Sequence, residues 1–421
     1  MHKIRRWLWM LLFMGLIAGT VCFAADRLYV RLPFYAEERR EDAQRTARDT
    51  EEPHREAVME ISEKNAAAAT GDPVQAGASE KPGPLSASAA LAENGYAFTQ
   101  LDGEDWLLYE ELFSAVRDFA EEVVLTTRDA KRVGPVFSCV LADHPEIFYV
   151  DGYTLTTRAL GEEIQEIRFR ASYTLTEEQA RERCTRIEEA VRPPLLAASK
   201  EEDDYEKLKI LYDFVVENTQ YSLDAPENQT ICSVFLYGQS VCQGYAKAFQ
   251  YLCSRAGIPA VLATGTGREG QPHAWTVVFC NGQWYHADPT WGDVSYQTGG
   301  EEARQGVVNY DYFLVPTAQI SATHTADGVV PLPECTSISD SYYVREDLYF
   351  TEADKEQTAE AFRRALQDGK EAVTLKCADW SVYEQMYDTL LEQQEIFRYL
   401  PENRTVSYAV SEEQLTLTFF L

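Results

Sequence analysis

A thiol, an imidazole and a carboxylate stand at three separated positions whose surroundings suggest a common site. Cys242 opens the segment CQGYAKAFQYLCSR, His273 lies in PHAWTVV, and Asp288 lies in WYHADPTW. A cysteine is a strong nucleophile when ionised, and a neighbouring imidazole can take its proton. A carboxylate beside that imidazole fixes its tautomer and orientation. Together the three residue types have the chemistry needed for cysteine-based acyl transfer.

The periodicity of the segment after Cys242 predicts a helix that begins at this residue. Cys242, Ala246, Phe249 and Cys253 follow steps of four, three and four, so they share one helix face. In the first turn, unpaired backbone N–H groups and the positive end of the helix dipole favour a thiolate at Cys242. Cys253 lies mid-helix on an apolar stripe and is expected to be an inert, buried thiol. Gly244 permits close approach by a substrate or by another part of the chain.

The register of the segment that holds His273 and Asp288 can be counted. The Asn-Gly pair at 281–282 predicts a two-residue type I′ hairpin turn. The numbers of opposed residues then sum to 563, so Trp275 faces Asp288. Side chains alternate along a strand, which places His273 on the face of Trp275 and Asp288. In the absence of a bulge, His273 and Asp288 are diagonal neighbours within reach of each other.

Two further histidines lie near these motifs. His286 shares the hairpin face but lies opposite Val277, nearer the turn, which favours core packing. His324 lies in the loop-like segment THTAD. No two His or Cys residues have the spacing of metal ligands, so neither a metal nor a cofactor is expected.

Aromatic residues and a glycine-rich segment surround the motifs. Trp275 and Trp291 are expected to wall the site, and Trp284 is expected to belong to the core. Residues 265–270, GTGREG, match G-x-G-x-x-G but are followed by a strand rather than a helix. A phosphate site of this kind requires a helix N-terminus. The segment is therefore predicted to be a loop beside His273.

The motifs VCQGYAKAF, PHAWTVV and WYHADPTW resemble the Cys-His-Asp core of the transglutaminase-like superfamily, over about residues 204–315. The key positions are 31 and 15 residues apart. The resemblance implies an α+β fold with a papain-like arrangement, in which a helix carrying the cysteine packs on an antiparallel sheet carrying histidine and aspartate. It implies catalysis by Cys242, His273 and Asp288 through an acyl-enzyme formed from an amide. Members include cross-linking transglutaminases, peptidases and amidases, and some members are inactive.

Two functions are compatible with these residues. The first is an exported thiol enzyme acting on a peptide or protein, with cell-wall peptide as one candidate, in which the acyl group passes to water or to an amine. The second is a non-catalytic peptide- or protein-binding module at the cell surface that retains the triad. The oxyanion of an enzyme would be bound by the backbone N–H of Cys242, and Tyr221 and Gln239 are candidate side-chain donors.

Sequence character changes along the chain and predicts five regions. Residues 1–25 carry basic residues before an uncharged apolar run, which is typical of a signal peptide or an N-terminal transmembrane anchor. Residues 26–95, charged and then rich in Ala, Gly, Pro and Ser, are predicted to be a tether. An N-terminal α+β module at 96–200, the transglutaminase-like core at 201–345 and a small C-terminal α/β unit at 346–421 follow.

Charge and cysteine content restrict the partners and the compartment. The net charge of the chain is −30, and from Asp26 onward 35 basic residues face 68 acidic ones, giving −33. Such a surface repels phosphate backbones, so nucleic acid is excluded as a partner. The basic N-terminus predicts that the rest of the chain lies outside the membrane, either anchored by the first segment alone or secreted. The nine cysteines show no spacing that indicates a disulfide framework.

Overall fold

Segments with the apolar spacing of helices alternate along the folded part of the chain with segments that have the spacing of strands. The computed structural model describes residues 95–160, 163–293, 308–328, 330–401 and 406–421, all within the compact unit Pro82–Leu421. The predicted signal or anchor segment, and the predicted tether apart from its last residue, lie outside the described residues. In the part of the chain that is described, no helix combines the length and apolar character needed to cross a membrane.

The N-terminal region packs helices on a three-stranded antiparallel sheet of order β1-β3-β2. Its helices are α1 (Tyr96–Thr99), α2 (Glu104–Arg117), α3 (Ala130–Asp143) and α4 (Glu177–Ala198), and its strands are β1 (Val123–Leu125), β2 (Val150–Leu160) and β3 (Glu163–Tyr173). Thr176 and Gln179 form a capping box at the start of α4. This reciprocal pair satisfies two of the backbone N–H groups that a helix start leaves unpaired.

Two helix ends in this region differ from what periodicity predicts. Apolar residues recur at helical spacing as far as Val123, but α2 ends at Arg117 and Val123 belongs to β1. Phe119 has a φ of 51°, which reverses the chain before the strand. Pro193 and Pro194 are expected to close α4, yet the helix continues to Ala198. The buried face of the helix runs through Val191, Pro194 and Ala198. This burial offsets the hydrogen bonds lost because the prolines have no N–H.

The core region contains the segments that carry the three candidate residues. Its helices are α5 (Asp204–Glu217), α6 (Ile231–Tyr237), α7 (Cys242–Arg255), α8 (Pro289–Gly292) and α9 (Thr317–Ile320). Its strands are β4 (Gln220–Tyr221), β5 (Gln239–Ser240), β6 (Ala260–Thr266), β7 (Pro272–Cys280), β8 (Gln283–Ala287), β9 (Phe313–Val315) and β10 (Thr325–Ala326). A short 3₁₀ turn spans Arg268–Gly270 between β6 and β7.

An antiparallel sheet of order β10-β6-β7-β8-β9 forms the centre of this region. Helix α7 lies against β6 and β7, and its residues Phe249, Leu252 and Cys253 are fully buried. Burial of an apolar side chain of this size contributes about 1.5–3 kcal/mol. The helix that begins at Cys242 is therefore fixed on the strand that carries His273. The predicted α+β class, with a helix packed on an antiparallel sheet, is confirmed.

The C-terminal region adds a mixed four-stranded sheet of order β11-β12-β14-β13, in which only the β11–β12 pair is parallel. Its helices are α10 (Tyr342–Arg345), α11 (Lys355–Gln367) and α12 (Trp380–Tyr387), and its strands are β11 (Tyr349–Phe350), β12 (Ala372–Cys377), β13 (Ser407–Ser411) and β14 (Thr416–Phe420). A π turn at Asp388–Glu392 and a 3₁₀ turn at Glu395–Arg398 follow α12. Gln414 donates from Nε2 to the Tyr312 hydroxyl at 3.1 Å, which links this sheet to the core.

Candidate active site

Helix α7 places the thiol of Cys242 in its first turn. Val241 is the N-cap, with extended backbone and no side-chain cap hydrogen bond, and Cys242 is the first helical residue. Cys242 is half-buried, whereas Cys253 on the same face is fully buried. Burial raises the pKa of the Cys253 thiol well above its ordinary value. The predicted contrast between an accessible thiol at the helix start and a packed thiol within the helix is present in the fold.

Gly244 is required by packing within the protein. A Cβ at this position would lie 1.9 Å from Ser240 Oγ and 2.8 Å from the carbonyl oxygen of Asn228. Ser240 Oγ is itself bonded to Ser233 Oγ at 2.6 Å. The close approach that Gly244 permits is therefore made by another part of the chain, not by a substrate. The glycine allows the start of α7 to lie directly against β5.

The β7–β8 hairpin has the register obtained by counting. Asn281 and Gly282 have φ values of 48° and 89°, and a type I′ turn requires positive φ at both central positions. The paired residues are Thr276 with Ala287, Val277 with His286, Val278 with Tyr285, Phe279 with Trp284, and Cys280 with Gln283. The pairing runs without a bulge to Ala287, the residue before Asp288. The predicted register is therefore confirmed.

The hairpin brings His273 and Asp288 together. His273 Nε2 lies 2.7 Å from Asp288 Oδ2, and both side chains are almost or fully buried. Asp288 is also the N-cap of α8, where its Oδ1 accepts the backbone N–H of Thr290 at 2.9 Å and that of Trp291 at 3.4 Å. One carboxylate oxygen is thus held by the start of a helix and the other by an imidazole.

The charges of this pair stabilise each other. Burial alone would raise the pKa of the Asp288 carboxyl, but the charges and hydrogen bonds of His273 and His324 outweigh it and hold that pKa well below its usual range. Burial alone would lower the pKa of His273, but its ion pair with Asp288 and its hydrogen bond with Cys242 raise it to about 10. Near neutral pH, His273 is therefore protonated and Asp288 is ionised.

Cys242 and Asp288 both raise the pKa of the same imidazole. Because Nε2 of His273 is directed at Asp288, Nδ1 is the ring nitrogen available to Cys242. If Nδ1 takes the proton of Cys242, the imidazole becomes positively charged, and the Asp288 carboxylate at Nε2 compensates this charge. The fold thus assembles all three predicted residues in the order thiol, imidazole, carboxylate.

A second histidine, which sequence reasoning places in a loop, also binds Asp288. His324 Nε2 lies 3.1 Å from Asp288 Oδ2, the oxygen that His273 also contacts, and both side chains are fully buried. His324 lies outside helices and strands, as the sequence predicts, but its contact with Asp288 is not indicated by the sequence. No local pattern marks it, because it lies 36 residues beyond Asp288 and reaches the carboxylate through the fold.

The residues His273, Asp288 and His324 are of the types that bind divalent metals, and their ligand atoms lie within 4.8 Å of one another. Both imidazoles, however, are already hydrogen-bonded to the carboxylate at 2.7 and 3.1 Å. These hydrogen bonds satisfy the buried polar groups by themselves. The arrangement is accounted for without a metal ion.

His286 has the structural role expected of it. Trp275 donates from its indole Nε1 to His286 Nδ1 at 3.0 Å, and His286 Nε2 lies 3.0 Å from Thr317 Oγ1. Burial, reinforced by the nearby His324, lowers the pKa of His286 to about 4. The ring is therefore neutral near pH 7 and serves as a hydrogen-bonded core residue.

Tryptophan rings border the imidazole of His273 as predicted. The rings of Trp275 and Trp291 lie 6.1 and 5.6 Å from that of His273. Trp284 packs instead against Tyr96 and Phe279, in the expected core position. Water is restricted near His273 on the side that these two rings cover.

The loop between β6 and β7 lies beside His273, as predicted, although Gly265 and Thr266, the first two residues of the predicted loop, belong to β6. A Cβ on Gly267 would be 3.5 Å from the His273 side chain and 3.4 Å from the Trp291 ring. Arg268 stands over the Trp291 ring at 5.3 Å and pairs with Glu413 of the C-terminal region. The backbone of Gly267 and the guanidinium of Arg268 thus lie beside His273 and Trp291, respectively.

The oxyanion donors can be narrowed by position. In the first turn of α7 the backbone N–H of Cys242 has no acceptor four residues earlier within the helix. Burial, with a smaller effect of the nearby charges of Cys242 and Asp288, raises the pKa of Tyr221 to about 12, so its hydroxyl keeps its proton. Gln239 pairs with Gln220 through the backbone and is exposed, and Tyr221 is also 47% exposed. Tyr221 is the candidate near enough to Cys242 for that residue to raise its pKa.

Known proteins resemble part of this chain. Residues 196–289 match the family model described as the transglutaminase-like superfamily. The chain is 23% identical over 167 residues to kyphoscoliosis peptidase of Mus musculus, covering 35% of this chain and 25% of the relative. It is 24% identical over 140 residues to the Homo sapiens protein of the same name, covering 30% and 21%. The chain thus spans about a quarter or less of the length of these curated relatives.

Among solved structures, the chain is similar to a putative cysteine protease from Cytophaga hutchinsonii, with 14% identity, a TM-score of 0.25, and coverage of 43% of this chain and 71% of that one. The family match ends at Pro289, one residue after Asp288, and so includes all three candidate residues. The predicted resemblance to the transglutaminase-like superfamily is therefore confirmed for residues 196–289, the segment that holds the three candidate residues.

Proposed function

We propose that this chain is an exported thiol enzyme that forms an acyl-enzyme on Cys242 from a peptide or protein amide. The observation that carries the proposal is the imidazole of His273, which binds the buried Asp288 carboxylate through Nε2, leaves Nδ1 available to Cys242, and has its pKa raised by both residues. A histidine in the core without these partners would be neutral, like His286. An imidazolium beside a cysteine favours the thiolate of that cysteine, which is the reactive form of a cysteine nucleophile.

The first half-reaction transfers the acyl group to sulfur. The Cys242 proton resides on His273 Nδ1, and the thiolate attacks the amide carbonyl carbon to form a carbon–sulfur bond. The carbonyl electrons move to oxygen, and the backbone N–H of Cys242 and the hydroxyl of Tyr221 donate to that oxyanion. As the oxyanion collapses, the carbon–nitrogen bond breaks and the His273 proton goes to the departing amine. The product is a thioester on Cys242.

The second half-reaction reverses the role of His273. The neutral imidazole takes a proton from water in a peptidase or amidase, or from an amine in a cross-linking enzyme, as the new bond to the acyl carbon forms. The sulfur leaves as thiolate and the triad is restored. Release to water is the outcome that the name of the curated relatives, a peptidase, favours. Transfer to an amine is the alternative.

The location proposed for this reaction is the outer face of the cell membrane or the space beyond it. It rests on the basic and apolar residues of 1–25, which resemble a signal peptide or anchor. Peptides and proteins of the cell surface, including cell-wall peptides, are then the accessible amides. The acidic chain, at −30, does not favour nucleic acid as a partner.

Thiol alkylation tests the proposal without a known substrate. Iodoacetamide should modify Cys242 near neutral pH far faster than a free cysteine, and Cys242→Ala should remove the fast phase. Cys253→Ala is the matched control and should leave the phase unchanged, since Cys253 is fully buried. A Cys242 that reacts like a free thiol would favour the non-catalytic binding module. Mass spectrometry after incubation with cell-wall peptides or a glutamine peptide would then identify the acyl group on Cys242.

A further inference from the structure

The carboxylate of Asp288 is held at every position by protein donors. Its Oδ1 accepts the backbone N–H of Thr290 at 2.9 Å, and its Oδ2 is within hydrogen-bond distance of both His273, at 2.7 Å, and His324, at 3.1 Å. In the proposed reaction only the bond to His273 takes part. The bond to His324 is thus an additional contact on a fully buried charge, and burial makes such contacts strong.

Both ring nitrogens of His324 have a partner. Ionised Asp288 can only accept, so Nε2 of His324 carries a proton and donates it. The Thr323 hydroxyl lies 2.7 Å from Nδ1. Thr323 thereby fixes the orientation of His324 in the same way that Asp288 fixes that of His273.

Aromatic rings hold the His324 ring in place. Its centroid lies 4.6 Å from that of Trp291, 5.0 Å from that of Trp275 and 5.6 Å from that of Tyr312. Two of these rings, Trp275 and Trp291, also border His273. A side chain packed in this way has one available orientation, so it can transmit a fixed direction to the carboxylate.

We propose that His324 is a positioning residue of the active site, which donates its Nε2 proton to Asp288 Oδ2 and so keeps the carboxylate aligned with His273. This inference rests on the proposed function. Without His324, Oδ2 loses one of its two donors and the carboxylate can rotate about its remaining bonds. His273 would then spend less time in the orientation that pairs with the Cys242 thiol. An error of about 1 Å in such a site costs up to about 10²-fold in rate.

The test compares His324→Leu with His324→Gln by the rate of iodoacetamide alkylation of Cys242. Leucine removes the donor, whereas the side-chain amide of glutamine can place an N–H near the position of Nε2. We expect a loss of about 10-fold to 10²-fold for His324→Leu and a loss below about 3-fold for His324→Gln. Thr323→Val removes the hydroxyl at Nδ1 and should give a smaller loss in the same direction.

His286→Asn is the matched control, because it also changes a buried histidine that contacts Trp275 but lacks a bond to Asp288. Its rate should equal that of the unmodified chain, and thermal unfolding of every variant separates lost positioning from lost folding. Should His324→Leu not fold, the loss expected for Thr323→Val decides. Fast alkylation that neither His324→Leu nor Thr323→Val slows, in folded variants, would overturn this inference and leave the proposed function intact. Slow alkylation of the unmodified chain would overturn both.

Discussion

Two histidines of the β7–β8 hairpin are in opposite electrostatic states. His273, at the end away from the turn, pairs with a carboxylate, and this pairing raises its pKa to about 10. His286, nearer the turn, lies between Trp275 and Thr317, and burial lowers its pKa to about 4. Both imidazoles are removed from water and both adjoin the same tryptophan.

The difference shows that burial does not decide the chemistry of these histidines. Removal from water lowers the pKa of each ring, and only His273 has a buried anion and a thiol to reverse this effect. The hairpin register decides which ring meets Asp288. A shift of one residue would exchange the faces of the strand and separate the pair. Each of the following predictions tests one part of this contrast.

The largest difference in turnover is expected between a variant that replaces His273 and one that replaces His286. His273→Ala removes the proton acceptor of the thiol and the proton donor of the leaving group, so turnover of an acyl substrate such as para-nitrophenyl acetate should fall by about 10⁴-fold. His286→Asn keeps an acceptor for the indole of Trp275 and should leave turnover within about 3-fold. Equal losses in the two variants would contradict the assignment of His273 as the base.

A somewhat smaller loss should follow from Asp288→Asn. The amide preserves the shape of the carboxylate but cannot compensate an imidazolium, and losses of about 10²–10⁴-fold match tautomer and orientation effects in comparable triads. Turnover of the same ester and the alkylation rate of Cys242 provide two readouts. Unchanged values in a folded Asp288→Asn variant would remove Asp288 from the mechanism.

The pH dependence of stability should have opposite signs for the two histidines. His286 has a lowered pKa, so its contribution is complete above pH 6.5 and is lost as pH falls towards about 4. A shift of this size corresponds to roughly 3 kcal/mol in the free energy of unfolding. His273 has a raised pKa, so its contribution is complete below pH 6.5 and is lost as pH rises through about 10.

Urea unfolding of the unmodified chain and of His286→Asn, followed between these limits, measures the acid-side effect. The variant should lose less stability than the unmodified chain as pH falls from 6.5 to 4, because it has no imidazole to protonate at this position. Likewise, the free energy of unfolding of His273→Gln should fall less than that of the unmodified chain as pH rises towards 10. Parallel curves for a variant and the unmodified chain would show that its histidine has an ordinary pKa in the folded state.

The smallest effect on the thiol is expected from Gly244→Ala. This substitution displaces Cys242 relative to His273 and leaves the surroundings of His286 unchanged. The added methyl group would meet Ser240 Oγ at 1.9 Å, so the start of α7 must shift. Overpacking of this kind costs about 1–3 kcal/mol, and we expect alkylation of Cys242 to slow by several-fold. A variant with unchanged melting temperature and unchanged alkylation would show that the contact is easily relieved.

Local patterns predicted much of the fold and failed where distant packing intervened. The capping box at Thr176 and the turn at 281–282 depend on neighbouring residues, and both are present. The helix ending at Arg117 could not be separated from the strand at Val123, because the apolar spacing continues through the turn. Likewise, Pro194 did not end α4, since its burial in the core outweighs the lost hydrogen bond.

The sequence by itself determined the relation between His273 and Asp288. A two-residue turn sets the register of a hairpin, and register with strand alternation fixes which side chains share a face. It also determined that Cys242 begins a helix, because helical spacing and the residues at a helix end are local properties. These local constraints predicted each residue of the triad, and the resemblance to a known family agreed with them.

Only the tertiary structure decided that His324 joins the carboxylate and that Gly244 serves the packing of β5 on α7. His324 reaches Asp288 Oδ2 at 3.1 Å from a segment 36 residues further along the chain. Contacts of this kind depend on how the sheet, the helices and the aromatic rings pack. Packing reflects the shapes of many side chains at once, and no local spacing in the sequence records it.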